Sequence, residues 1–181
     1  MNAFLHNTFG KWFGNRETKI IMFGLSCSGK TTIVNKLMLG DLIKTEKLFN
    51  FQNIETIKYE KLTMHLITVG DCSYNHRICK LLFPNVNGLI FVIDSSSQWN
   101  MNDARESLSI LAKEDDLKNS KLLIYSNKRD IKDTLEAKEL EKVLELNKIT
   151  QEWKIQDCCS ITGDGILKGM LWICEKIVHY E

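Results

Sequence analysis

Gly24-Leu25-Ser26-Cys27-Ser28-Gly29-Lys30-Thr31 satisfies the pattern G-x-x-x-x-G-K-[ST], with Thr32 directly after it. Its setting gives the match meaning. Lys19 to Phe23 upstream is a short apolar run that reads as a strand, and Lys30 to Leu39 downstream has the spacing of a helix. Glycines at both ends let backbone N–H groups wrap phosphate oxygens, and the N-terminus of the following helix adds partial positive charge. Lys30 would reach the outer phosphates of a nucleotide, and Thr31 would offer its hydroxyl to Mg2+.

Beyond this unit, apolar runs alternate with helical patterns, as in a parallel sheet covered on both faces. Ile54 to Tyr59 and Leu62 to Val69 flank the polar pair Glu60-Lys61 and predict a hairpin. Leu89 to Ile93, Leu122 to Tyr125 and Trp153 to Ile155 read as strands. Helices are predicted over Asn102 to Lys113, Leu135 to Leu146 and Ile166 to Val178.

The 181 residues, 44% of them hydrophobic, suit one globular domain. Twenty-four basic residues against 23 acidic leave a formal charge of +1, which gives no field for nucleic acid. Six cysteines without a C-x-x-C spacing, and no signal peptide or long apolar span, point to the cytoplasm and to free thiols. Met1 to Gly14 places Phe4, Leu5, Phe9, Trp12 and Phe13 on one helical face. Burying five such side chains returns roughly 7 to 15 kcal/mol. Ordering a dozen backbone residues costs ~12 to 24 kcal/mol. This amphipathic helix therefore needs a groove on its own domain, a partner or a membrane surface. It divides the chain into residues 1–16 and a domain of residues 17–181.

Asn127-Lys128-Arg129-Asp130 follows the strand Leu122 to Tyr125, where a base-reading loop would stand. The Asp130 carboxylate can accept two hydrogen bonds from guanine N1–H and its exocyclic amine, which adenine cannot supply. Asn127 would brace the loop and touch the base, and the Lys128 stem would stack along the ring. Cys158-Cys159-Ser160 after the last strand would add a backbone N–H toward guanine O6, with small core cysteines as the equal alternative.

The ordered set of motifs resembles the Arf family of small GTPases over essentially the whole chain. It comprises Gly24 to Ile33, Lys36 to Gly40, Ile54 to Ile57, Gly88 to Ser95, Asn127 to Asp130 and Thr162 to Gly165. The resemblance implies a Ras-like P-loop fold, an α/β domain with a six-stranded, mostly parallel sheet. It also implies GTP and GDP as ligands with Mg2+, a backbone contact from Gly70, effector and exchange-factor partners, and cytoplasmic work in vesicle traffic on endomembranes such as the Golgi.

Several residues depart from that pattern. Where the family carries D-V-G-G-Q, this chain has Thr68-Val69-Gly70-Asp71-Cys72. Thr68 replaces the aspartate that holds a Mg2+ water, and Cys72 replaces the water-aligning glutamine, for which a thiol is a poor substitute. The first switch reads Glu46 to Asn53 without a threonine in the expected place, leaving Thr45 as the nearest candidate. Gln52, Ile67 and Leu82 stand where the family shows an aromatic effector-binding trio. Asn2 at the acceptor position excludes N-myristoylation, so only weak membrane contact through the N-terminal helix is expected.

Cys72, His76 and Cys79 would share a helical face and offer three ligands to Zn2+ in want of a fourth. The sequence thus predicts a guanine-nucleotide-binding regulator with weak or absent hydrolysis and weakly held Mg2+. A non-switching interaction module that keeps the fold with structural or no nucleotide is the alternative. A P-loop kinase or ATPase would leave Asp130 unexplained.

Overall fold

The computed structural model describes residues 16–39, 44–46, 54–59, 62–70 and 76–178. Strands are β1 (Arg16–Phe23), β2 (Lys44–Glu46), β3 (Ile54–Tyr59), β4 (Leu62–Thr68), β5 (Gly88–Asp94), β6 (Lys121–Asn127) and β7 (Trp153–Asp157). Helices are α1 (Lys30–Leu39), α2 (His76–Lys80), α3 (Met101–Ala112), α4 (Ala137–Val143) and α5 (Ile166–Val178). Short 3-10 turns occupy Gln98–Asn100, Asp115–Leu117 and Leu146–Lys148.

The seven strands form one sheet in the order β2-β3-β4-β1-β5-β6-β7. β1 runs parallel to β4 and β5, and β5, β6 and β7 continue parallel. The β3–β4 hairpin and the β2–β3 pair are antiparallel. The expected Ras-like α/β architecture is present with one more strand than the six expected, the three-residue β2 at the edge.

Alternation along the central strands explains the layering. Ile20 and Met22 of β1 face a core shared with Ile33, Leu37, Met170 and Ile173 of α1 and α5. Ile21 and Phe23 face the opposite core, with Leu108 and Leu111 of α3 and Leu140 of α4. Strands covered on both sides must be apolar throughout, and every residue of β6 is buried. α5 closes on the sheet at Gly169, where a Cβ would lie 2.5 Å from the Tyr125 ring. The Tyr125 hydroxyl donates to the Ile166 carbonyl at 2.6 Å.

α1 and α5 carry the predicted bounds, whereas the helix expected over Leu135 to Leu146 is shorter. Glu139 accepts the Glu136 N–H at 2.7 Å and fixes the start. Glu145, left-handed at φ 53, ends the helical run and a 3-10 turn follows. The predicted N-terminal amphipathic helix, with Phe4, Leu5, Phe9, Trp12 and Phe13, lies outside the described residues. Arg16, assigned to that segment from the sequence, is the first residue of β1.

Candidate functional site

The carboxyl ends of β1, β5, β6 and β7 lie side by side, so the loops that follow them gather at one edge, where open α/β sheets form their sites. The first of these loops is the Gly24 to Thr31 segment. Gly24 has φ 147 and Gly29 φ 100, and side chains there would collide with backbone and neighbours. A Cβ on Gly24 would stand 2.3 Å from the Val92 carbonyl oxygen, and one on Gly29 would stand 2.2 Å from Asn127 Nδ2. Cys27 takes φ 61 and is exposed, as is Ser26, while Ser28 is buried. Lys30 turns its ammonium into the loop, donating to the Gly24 and Leu25 carbonyls at 2.8 Å each and reaching Ser28 Oγ at 3.5 Å. Thr31 and Thr32 open α1 with exposed side chains.

Asn127 ties this loop to the other two. Fully buried at the end of β6, it donates through Nδ2 to the Ser28 carbonyl at 2.7 Å and the Ser160 hydroxyl at 3.2 Å. Its Oδ1 accepts from the Ser160 N–H at 2.9 Å and from the Cys158 thiol at 3.6 Å. Of the two roles read from the sequence, bracing is the one this geometry displays.

Lys128 adopts φ 67 and stretches its ammonium to Asp94 Oδ2 at 2.6 Å. Burial pushes the Asp94 carboxyl up. Hydrogen bonds from the Lys128 ammonium and from the Ser96 hydroxyl and N–H outweigh it and hold the group below its ordinary range. Asp130 is exposed, and the thiol of buried Cys159 donates to its Oδ1 at 3.3 Å. Cys159 Sγ also accepts the Thr162 N–H at 3.5 Å. Loop 24–31, Asn127, Lys128, Asp130, Cys159 and Ser160 are therefore brought together. Gly70, just past β4, is exposed, with nothing within 4 Å of a built Cβ.

Two contributors escaped the sequence reading. Asp94 anchors Lys128, and its signal was the Asp-Ser pair ending an apolar strand. Arg129, the variable letter of its tetrad, donates to Thr134 Oγ1 at 2.7 Å and the Leu135 carbonyl at 2.8 Å, so it holds the loop that leads into α4.

The donor set fits Mg2+ only weakly. Thr31 offers a neutral hydroxyl, and Thr68 ends β4 in register with Met22, where the resemblance implies a carboxylate. Among the described residues no group of three or more His, Cys, Asp or Glu side chains could hold a metal ion. Asp71, Cys72 and Gln52 lie outside those residues. Thr45 belongs to β2, three strands from β1. At about 4.8 Å per strand that is roughly 14 Å from the strand that feeds the phosphate loop.

Of the proposed zinc trio, Cys72 and the side chain of His76 fall outside the described residues. Cys79 is buried in the α3-facing core and disulfide-bonded, so it has no thiolate to give. That bond corrects the expectation of free thiols throughout. Cys27, Cys158, Cys159 and Cys174 are free. Ile67 is buried and Leu82 half-buried, so neither is an exposed aromatic effector contact.

Residues 5–177 match the model of the ADP-ribosylation factor family. ADP-ribosylation factor J of Dictyostelium discoideum is 35% identical over 179 residues, covering 97% of this chain and 93% of that protein. Among solved structures, the Arl6 BBS3 small GTPase of Trypanosoma brucei, with the bound nucleotide analogue GppNp, superposes with a TM-score of 0.79. It is 22% identical and covers 92% of this chain and all of its own, a likeness of fold.

Proposed function

The chain belongs to the ADP-ribosylation factor family of small GTPases, and from that premise we propose that it is a guanine-nucleotide-binding regulator whose GTP hydrolysis is weak or absent. One observation carries the binding half of this reading. The buried Asn127 amide fastens the phosphate loop to the segments that bear Asp130 and Cys159. A phosphate grip and a base reader held by one side chain keep a fixed spacing, which a guanosine phosphate would span. In this arrangement Lys30 and the loop N–H groups would take the phosphates, Lys128 would lie along the ring, and Asp130 would select guanine.

The substitutions support the other half. Thr68 supplies a hydroxyl where a carboxylate would order a metal-bound water, and Cys72 takes the place of the water-aligning glutamine. An intact small GTPase turns over at only about 10⁻⁴ s⁻¹ unaided, so removing the water-aligning group leaves little to measure. Mg2+, when bound, would shield phosphate charge, with Thr31 as its main protein ligand. We place the protein in the cytoplasm and in membrane traffic, with effector and exchange factor unassigned. Weak surface contact would run through Phe4, Leu5, Phe9, Trp12 and Phe13.

Titration with mant-GTP and mant-GDP, with and without Mg2+, followed by single-turnover hydrolysis of bound GTP, tests both halves. Tight binding with turnover at or below the unaided small-GTPase rate is expected. Binding of neither nucleotide would sink the reading and leave a non-switching module, and rapid turnover would refute the hydrolytic half alone.

A further inference from the structure

We propose that the cleft between α3 and the turn after α4 is a docking site for an acidic peptide segment of a partner protein. It lies at the end of the sheet remote from the nucleotide loops. From Ala112 the chain passes through Lys113 into the amino end of β6, and from Thr150 it enters the amino end of β7. The nucleotide loops leave the carboxyl ends of the same parallel strands.

The cleft encloses about 440 Å³, within the size range of ligand-binding clefts and far above what a lone ion occupies. Arg105, Lys113, Lys118 and Lys148 line it, with Glu145 as the only carboxylate among the lining residues. Part of that charge is already answered. Lys148 pairs with Glu145 at 2.7 Å, and Lys118 pairs with Asp115 at 2.5 Å. Arg105 shares the charge of Glu145 with Lys148, so four cations face one lining carboxylate and the cleft keeps a local positive excess on a chain whose net charge is only +1.

The floor decides the class of occupant. Half-buried Ile149 and Ala112 present apolar surface beneath the basic rim, backed by buried Leu144. Free phosphate gains nothing from such a floor. No aromatic side chain lines the cleft, so nucleic acid finds no ring to stack on. A peptide that sets an apolar side chain on the floor and carboxylates on the rim uses both features. Being far from the nucleotide loops, the surface would be legible whichever nucleotide is held, which suits a chain with degenerate switch sequences. The inference does not depend on the nucleotide reading.

The test is fluorescence anisotropy of the full chain with a fluorescein-labelled decapeptide alternating Glu and Leu, with GDP or mant-GTP present. Expected is saturable binding, equal with either nucleotide and weaker as salt rises. It should fall by about tenfold or more in the double variant Arg105→Glu with Lys113→Glu, as loss of rim charge dictates. Arg105→Lys should keep it. Mant-nucleotide affinity and melting temperature measured in parallel show whether the double variant is folded, and both should match wild type. The proposal is overturned if the peptide does not bind, if the double variant binds it equally, or if the Gln-for-Glu peptide binds as well. It is also overturned if phosphatidylserine vesicles or an RNA decamer displace the peptide from these residues.

Discussion

Asn127 concentrates more of the site than any other residue, because one amide joins its own segment to two others, at Ser28 and Ser160. Truncation in Asn127→Ala leaves the Ser28 carbonyl and the Ser160 N–H without this partner in a buried place. Each such orphan costs about 1 to 3 kcal/mol. We therefore expect a stability loss of roughly 2 to 6 kcal/mol by urea denaturation, with nucleotide affinity lost alongside. Wild-type stability in that variant would refute the bracing role. Asp130 bears on selectivity instead of folding, since it is exposed. Asp130→Asn should leave the melting temperature within a degree or so while guanine preference gives way to xanthine in competition binding, because the amide now donates where the carboxylate accepted. Unchanged GTP affinity would count against its assignment. At this scale the sequence disclosed the loop and the tetrad through fixed letters. Asp94 stayed hidden because its meaning lies in a 2.6 Å contact with Lys128, 34 residues away.

Among elements, α5 shows why some assignments were legible and others not. Its apolar residues Ile166, Met170, Ile173 and Cys174 recur at helical spacing, and all are buried against one sheet face. Gly169 belongs to the same stripe for a steric reason, since a methyl group there would press on Tyr125 at 2.5 Å. Gly169→Ala should thus destabilise by about 1 to 3 kcal/mol through overpacking, against the gain that alanine gives an unconstrained helix. A urea midpoint equal to or above wild type would show that α5 can shift away. α4 is shorter than expected although Leu135 and Leu146, the expected ends, would fall on one helical face. Leu135 instead receives Arg129 on its carbonyl, and Glu145 turns left-handed. β2, at three residues, is too short for any period to register, and only its pairing with β3 defines it.

The whole molecule couples its core to alkaline pH. Cys158, Cys174 and Tyr125 share the core cluster between the sheet and α1 and α5. Burial first, with nearby Cys159 and Asp157 adding, pushes the Cys158 thiol from 9.0 up to about 12. Burial, with Glu175 adding, does the same to Cys174, also about 12. Burial likewise drives the Tyr125 hydroxyl well above its ordinary 10.0, with Cys158 and Cys174 adding. The folded chain therefore keeps protons that the unfolded chain releases from about pH 9 upward. With more protons bound in the native state, stability is whole below that point and declines as pH rises toward 12, by about 1.4 kcal/mol per pH unit for each thiol. Urea unfolding between pH 8 and pH 10.5 in constant reductant should show this fall in wild type. Cys174→Val fills similar space without a titrating group, so its curve should be shallower by roughly one thiol's share. Parallel curves for the two proteins would mean that Cys174 ionises equally in both states. The core around Tyr125 would then be wetter than its complete burial implies, and α5 would not seal that face of the sheet.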